Sequence, residues 1–192
     1  MNYKGKDLAM LFYKNGKKGD LIGITEVEPE NGKYFLTNGF MGVYLIEEEV
    51  INFIEKWNKY SSRTSIPLED FKEKISVCLE HELISDKRLD DKNLLENIPN
   101  KKVFLTPFVD QGNDRVVYTE DFIVIVNNEA VEFMKSTQVD KITTAPFSAL
   151  YFFKGEELLG FVMPKSMKEK DKKKILKTIK DLQNKDIVNV KN

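Results

Sequence analysis

Apolar, β-branched and aromatic residues are concentrated in short runs along residues 21–28, 33–37 and 40–46, a β-rich pattern. The segments are broken by Pro29-Glu30-Asn31-Gly32 and by Asn38-Gly39. Asn-Gly accepts the positive φ of a tight hairpin turn, so this stretch predicts a three-stranded meander. Over residues 47–60 the pattern changes: Val50, Ile51, Ile54 and Trp57 fall at helical spacing, and Glu47, Glu48 and Glu49 occupy the first turn, where they complement the helix dipole. A second helix is expected from about Pro67, with Leu68, Phe71, Ile75, Cys78, Leu79 and Leu83 on one face. Residues 86–100 are polar, end near Pro99 and read as a linker.

The β pattern returns in residues 102–109 and 115–119, either side of Asp110-Gln111-Gly112-Asn113-Asp114, and in the apolar run 122–126. A short helix over 128–135 follows, with Asn127 or Asn128 as its N-cap. Then come a strand at 141–144 and a hairpin of 150–153 with 158–163 around Lys154-Gly155-Glu156-Glu157. A last amphipathic helix from about 168 to 183 sets Ile175, Leu176, Ile179 and Leu182 on one side and lysines on the rest, a pattern that packs back onto the body. At the N-terminus, Leu8, Met10, Leu11 and Phe12 suit a short helix and a strand equally well.

The expected class is α+β: a β-rich half over 1–46, a helical insertion and linker over 47–100, a second β-rich half over 101–164, and a basic helix and tail over 165–192. The two halves are expected to form one continuous sheet or two facing sheets. The longest apolar runs, 40–46 and 122–126, fall far short of the roughly 20 residues of a membrane span. The N-terminal residues lack the apolar core of a secretory signal, and one cysteine, Cys78, cannot close an internal disulfide, so the expected location is the cytoplasm.

Charge is unevenly spread. The net value is −1, but residues 165–192 hold ten lysines against Glu169, Asp171, Asp181 and Asp186, a segment charge of +6 that leaves −7 on the remainder. Such a segment is either a solvated lysine-rich helix or a surface for an anionic partner.

Two short segments carry a resemblance. Residues 143–153, Thr143-Thr144-Ala145-Pro146-Phe147-Ser148-Ala149-Leu150-Tyr151-Phe152-Phe153, with 157–164 ending in Met163-Pro164, resemble the closing strands of proteins related to bacterial DNA polymerase sliding clamps. In the first half, Tyr34-Phe35-Leu36-Thr37-Asn38-Gly39-Phe40 is similar to the strand, Thr-Asp-Gly turn and strand of that family, with Asn38 in the place of Asp. The resemblance implies a duplicated β-rich clamp unit, material for about one clamp domain, and hence a homo-oligomer if a ring is to close. It also implies a non-enzymatic accessory protein of a phage or mobile element that associates with DNA or replication proteins and needs no cofactor. In clamps the short helices face DNA; here they would lie near residues 6–13 and 128–135. Lys4, Lys6, Lys14, Lys17 and Lys18 make the first neighbourhood basic, and Lys168, Lys172, Lys173, Lys174 and Lys177 do so for the tail, as phosphate contact requires. Glu129 and Glu132 against Lys135 work the other way on the second helix. The alternative reading is a protein-interaction module, a dimerisation or adaptor unit without nucleic-acid contact.

Catalytic patterns are sparse. Cys78 and His81 lie three apart on the expected second helix, where a thiolate and imidazole could meet, but a lone cysteine usually serves as a small core hydrophobe. One cysteine and one histidine cannot make a closed structural zinc site within a monomer, and no metal is expected. Asp110, Gly112 and Asp114 imitate the start of a calcium loop, yet Arg115 stands where that loop requires glycine, so a hairpin turn is expected. Neither phosphate-binding glycine motif is present. Glu26 with Glu28, and Glu120 with Asp121, read as solvated edges, and Tyr34, Phe35 and Phe40 as core aromatics before base-stacking ones.

Overall fold

The computed structural model describes residues 8–15, 22–60, 101–144 and 149–189. The expected second helix, with Cys78 and His81, and the linker that follows it lie outside the described residues. What is described is a mixed α+β protein with two antiparallel sheets and four α-helices. Residues 8–13, for which helix and strand fit equally well, fold as part of α1 (Leu8–Asn15).

The meander forms as expected, with β1 (Gly23–Glu28), β2 (Lys33–Thr37) and β3 (Met41–Ile46). A 3-10 turn at Pro29–Asn31 joins the first two strands, and Gly32 completes it at φ 57°. Between β2 and β3, the Asn38 carboxamide oxygen accepts hydrogen bonds from the Phe40 and Met41 N–H groups at 3.0 and 3.1 Å, and Gly39 takes φ 80°. This local pairing is why Asn-Gly turns the chain there. α2 (Glu47–Tyr60) follows at once; Glu49 at its third position accepts from the Ile46 N–H at 3.2 Å, a capping arrangement that satisfies a donor at the helix start. Its buried face is Val50, Phe53, Ile54 and Trp57.

The second half gives β4 (Lys101–Lys102), β5 (Phe104–Val109), β6 (Asp114–Tyr118), β7 (Ile123–Asn127), α3 (Asn128–Lys135), β8 (Lys141–Thr144), β9 (Leu150–Lys154), β10 (Glu157–Val162) and α4 (Glu169–Asn189). Of the two candidate caps of α3, Asn127 is the one used, its side chain accepting from the Ala130 N–H at 2.9 Å.

The halves meet in one sheet. Its order is β1-β2-β3-β10-β9-β8-β4, with β3 and β10 antiparallel at its centre, Gly160 opposite Val43 and Phe161 opposite Gly42. Each triplet follows a helix, α1 before β1–β3 and α3 before β8–β10, and the triplets are laid last strand to last strand. The second half also supplies a separate three-stranded sheet, β5-β6-β7.

One apolar core joins these layers. It gathers Leu36, Met41, Val43, Leu45, Leu150, Phe152, Leu159 and Val162 from one face of the large sheet, the buried faces of α1, α2 and α3, and Val117, Val124 and Val126 from the small sheet. Phe12 of α1 meets Phe53 of α2 edge to face at 5.5 Å, and Phe53 stacks on Trp57. The other face of the large sheet carries a smaller cluster of Phe35, Tyr44, Phe153 and Leu158. α4 packs against β7 of the small sheet, with Ile179 buried and Ile175 and Leu176 half-buried. Strand alternation puts Val117 of β6 in the core and its neighbour Val116 towards α4.

Candidate functional site

The lysines expected to meet DNA are divided by the fold. Lys4, Lys6, Lys17 and Lys18 lie outside the described residues. Lys14 is exposed in the last turn of α1, within the helical layer, beside Tyr13, which is 45% exposed and meets Trp57 edge to face. Lys168 precedes α4, and Lys173, Lys174 and Lys177 are exposed on it; Lys172 belongs to the same helix. The small sheet separates α4 from the core in which α1 is packed, so among the described residues Lys14 stands apart from Lys168, Lys173, Lys174 and Lys177.

α1 and α3, the two short helices, pack against each other. On α3, Glu132 is held by Arg115 at 2.9 Å and by Lys135 at 3.2 Å. The Arg115 guanidinium also donates to the Asn128 side chain at 2.7 Å and the Thr106 carbonyl at 2.8 Å, so β5, β6 and α3 are joined through one fork of donors. The acidic character read from Glu132 is therefore largely absorbed inside the fold. In the sequence Arg115 stands out only as the residue that spoils a calcium loop; nothing local pairs it with a residue 17 positions away.

The Asp110–Asp114 segment is a closed hairpin turn. The Asp110 carboxylate accepts from the Asp114 N–H at 2.9 Å, Asn113 takes φ 59°, and the Asn128 amide donates to the Asn113 side chain at 3.1 Å. Asp114 itself pairs with Lys165 at 2.5 Å, and the Lys165 N–H donates to the Ile125 carbonyl, which ties the entry to α4 onto the small sheet. Among the described residues, no group of three or more His, Cys, Asp or Glu side chains is placed to hold a metal ion, and no helix is long and apolar enough to cross a membrane.

One member of each acid pair, Glu28 and Asp121, is held in a structural contact. Asn31 donates to Glu28 at 3.0 Å and Lys33 at 3.3 Å, and these contacts hold the Glu28 carboxyl below its ordinary range, the Asn31 hydrogen bond contributing most. Asp121 is paired with Lys101 and is likewise lowered, chiefly by that hydrogen bond. Lys33 also reaches Glu157 at 3.6 Å and lies over the Tyr44 ring, at one wall of an open depression of ≈ 600 Å³ that includes Glu49 and Lys154. Burial raises the Glu49 carboxyl, opposed by the Ile46 N–H that it accepts. Of the aromatics weighed for base stacking, Phe35 is buried between Tyr44 and Phe161, and Tyr34 and Phe40 are half-buried.

One surface was not foreseen. Phe108 of β5, Val116 of β6, and Asp171, Lys174, Ile175, Thr178 and Ile179 of α4 line a largely apolar groove of ≈ 440 Å³. Phe108 is 55% exposed at its wall. In the sequence these residues are ordinary strand and helix hydrophobes, and only the packing of α4 on the small sheet brings them together.

Comparison with protein-family models, with curated proteins and with solved structures finds no match to this chain.

Proposed function

We propose that this protein is a non-enzymatic, clamp-like accessory factor of the cytoplasm that associates with DNA or replication proteins. The observation that carries the reading is the order of the large sheet, in which a helix and three strands from each half are laid last strand to last strand across the β3–β10 pair. The resemblance implies a duplicated unit, and a like order of helix and three strands in each half supports that reading. The residues of the resemblance meet at the β3–β10 seam: Thr37-Asn38-Gly39 leads into β3, Met163-Pro164 follows the antiparallel β10, and the Met163 N–H donates to the Phe40 carbonyl at 2.6 Å. The adjoining α1 and α3 supply the pair of short helices that a clamp turns towards DNA. One chain amounts to about one clamp domain, so encirclement of DNA would need several copies.

The test is fluorescence anisotropy of labelled single- and double-stranded DNA across a salt series, run on the parent chain and on a variant with Lys14, Lys168, Lys173, Lys174 and Lys177 changed to Gln. DNA binding through these lysines predicts affinity that falls steeply with salt, and a slope shallower in the variant by about 0.9 for each phosphate it no longer neutralises. No binding at low salt would remove direct DNA contact. A solution mass showing a strict monomer at all concentrations would remove a ring. The second reading, a protein-interaction module without nucleic-acid contact, is favoured by the groove beside Phe108.

A further inference from the structure

We propose that the groove between α4 and the β5–β6 hairpin is a docking site for a short segment of a partner protein in which one large apolar side chain is flanked by acidic residues. The inference goes beyond the clamp reading, which assigns nothing to the groove; Lys174 and Lys177 on its rim are also among the lysines replaced in the DNA test, so the two readings share that helix.

The groove itself calls for an apolar anchor. Phe108, Val116, Ile175 and Ile179 make its walls, and Phe108 remains 55% exposed. A phenylalanine left this open beside a concave apolar surface has favourable area still to bury, and aromatic anchors of this kind dominate the energetics of docking.

Its rim calls for acidic flanks. Lys170, Lys174 and Lys177, spaced at i, i+4 and i+7, form one exposed stripe along α4 at the edge of the groove, with Lys173 and Lys180 further round. Asp171 lines the groove and Asp181 ends the stripe, so five lysines stand against two acids on the described side chains of this helix. A neutral or basic segment seated here would partly desolvate these ammonium groups without compensation, whereas flanking carboxylates would steer and hold it.

The edge of β5 points to a segment laid on the groove rather than a strand added to the sheet. Pro107 has no N–H to offer a new ladder, and the β5–β6 register shifts between Leu105 and Val109. The same features disfavour a second copy joining edge to edge. DNA would answer the lysines but offers no apolar anchor for the groove.

The experiment is selection of a displayed random peptide library on the purified full chain, repeated on Phe108→Ser and Lys174→Glu. Both sites are exposed, and unchanged thermal melts confirm folding. Enriched peptides should combine an aromatic or large aliphatic residue with acidic neighbours. A synthetic member should lose about ten-fold in affinity with either variant, a loss typical of an interface anchor. The proposal is overturned by no enrichment over the Phe108→Ser protein, by enriched peptides without acidic residues, or by a concentration-dependent dimer that Phe108→Ser abolishes, which would make a second copy the occupant.

Discussion

Gly160 of β10 stands against Gly42 of β3 so closely that a β-carbon on Gly160 would collide with the Gly42 carbonyl oxygen and reach the Met134 methyl of α3 at 3.0 Å. Gly42 in turn lies under the rings of Phe35 and Phe161. The strand pair that joins the two halves is thus closed by two residues without side chains, with a helix on one face and aromatic rings on the other.

Gly160→Ala is therefore expected to cost about 2–3 kcal/mol through overpacking against backbone, which cannot move aside as a flexible side chain can. Gly155→Ala is the control: it sits in the β9–β10 turn at φ 58° with open space around it. Its loss should be about 1–2 kcal/mol, the cost of holding an L-residue in the left-handed region. Urea denaturation of both variants checks the ranking, and equal losses would show that the seam relaxes.

Arg115 predicts a second loss. Its donors reach Asn128, Thr106 and Glu132 from partly buried positions, so Arg115→Lys keeps the charge but cannot satisfy all three acceptors. The expected cost is about 2 kcal/mol in chemical denaturation. Faster amide exchange should be concentrated in β5, β6 and the start of α3; uniform exchange throughout the chain would contradict a local role.

These two sites mark where the sequence was readable and where it was not. The meander, α2, α3, the β9–β10 hairpin and α4 follow from local signals: Asn-Gly at residues 38–39, the acidic first turn at 47–49, an asparagine cap, and helical spacing of Ile175 and Ile179. Pairing of β3 with β10 has no local signature, because the partners are over 100 residues apart and register is decided by how the two apolar faces meet. α1 is ambiguous in sequence because Leu8, Met10 and Phe12 fit a period of two while Leu8, Leu11 and Phe12 fit helical spacing, and its burial against α2 decides for helix. The groove beside Phe108 was invisible for the same reason as the seam: its walls come from strands and a helix more than 50 positions apart.

Asn38 offers a test of the turn that the resemblance singled out. Its carboxamide oxygen accepts two backbone N–H groups, while its buried nitrogen has no hydrogen-bond partner. Asn38→Ala should cost about 1–3 kcal/mol, since it leaves buried donors unsatisfied. Asn38→Asp keeps the acceptor, strengthens it with charge and removes the unpaired amide, so it should lose less than Asn38→Ala at neutral pH. The reverse order in thermal melts would mean that carboxylate burial outweighs those bonds.

Two glutamates at the same depression should respond to pH in opposite senses. Glu28 is lowered on folding, first by Asn31 and then with help from Lys33, so its contribution is present above the unfolded value and is lost as pH falls through the folded one. Glu49 is raised by burial, so its contribution is fully present below the unfolded value and is lost as pH rises through the folded one. Gln at either position removes the titration while keeping an acceptor. Relative to the parent, Glu28→Gln should therefore become less stable as pH rises from about 3 to 7, and Glu49→Gln more stable over the same range. Thermal melts at intervals of pH read both differences, and a Glu49→Gln curve running parallel to the parent would mean that the Ile46 N–H offsets burial completely.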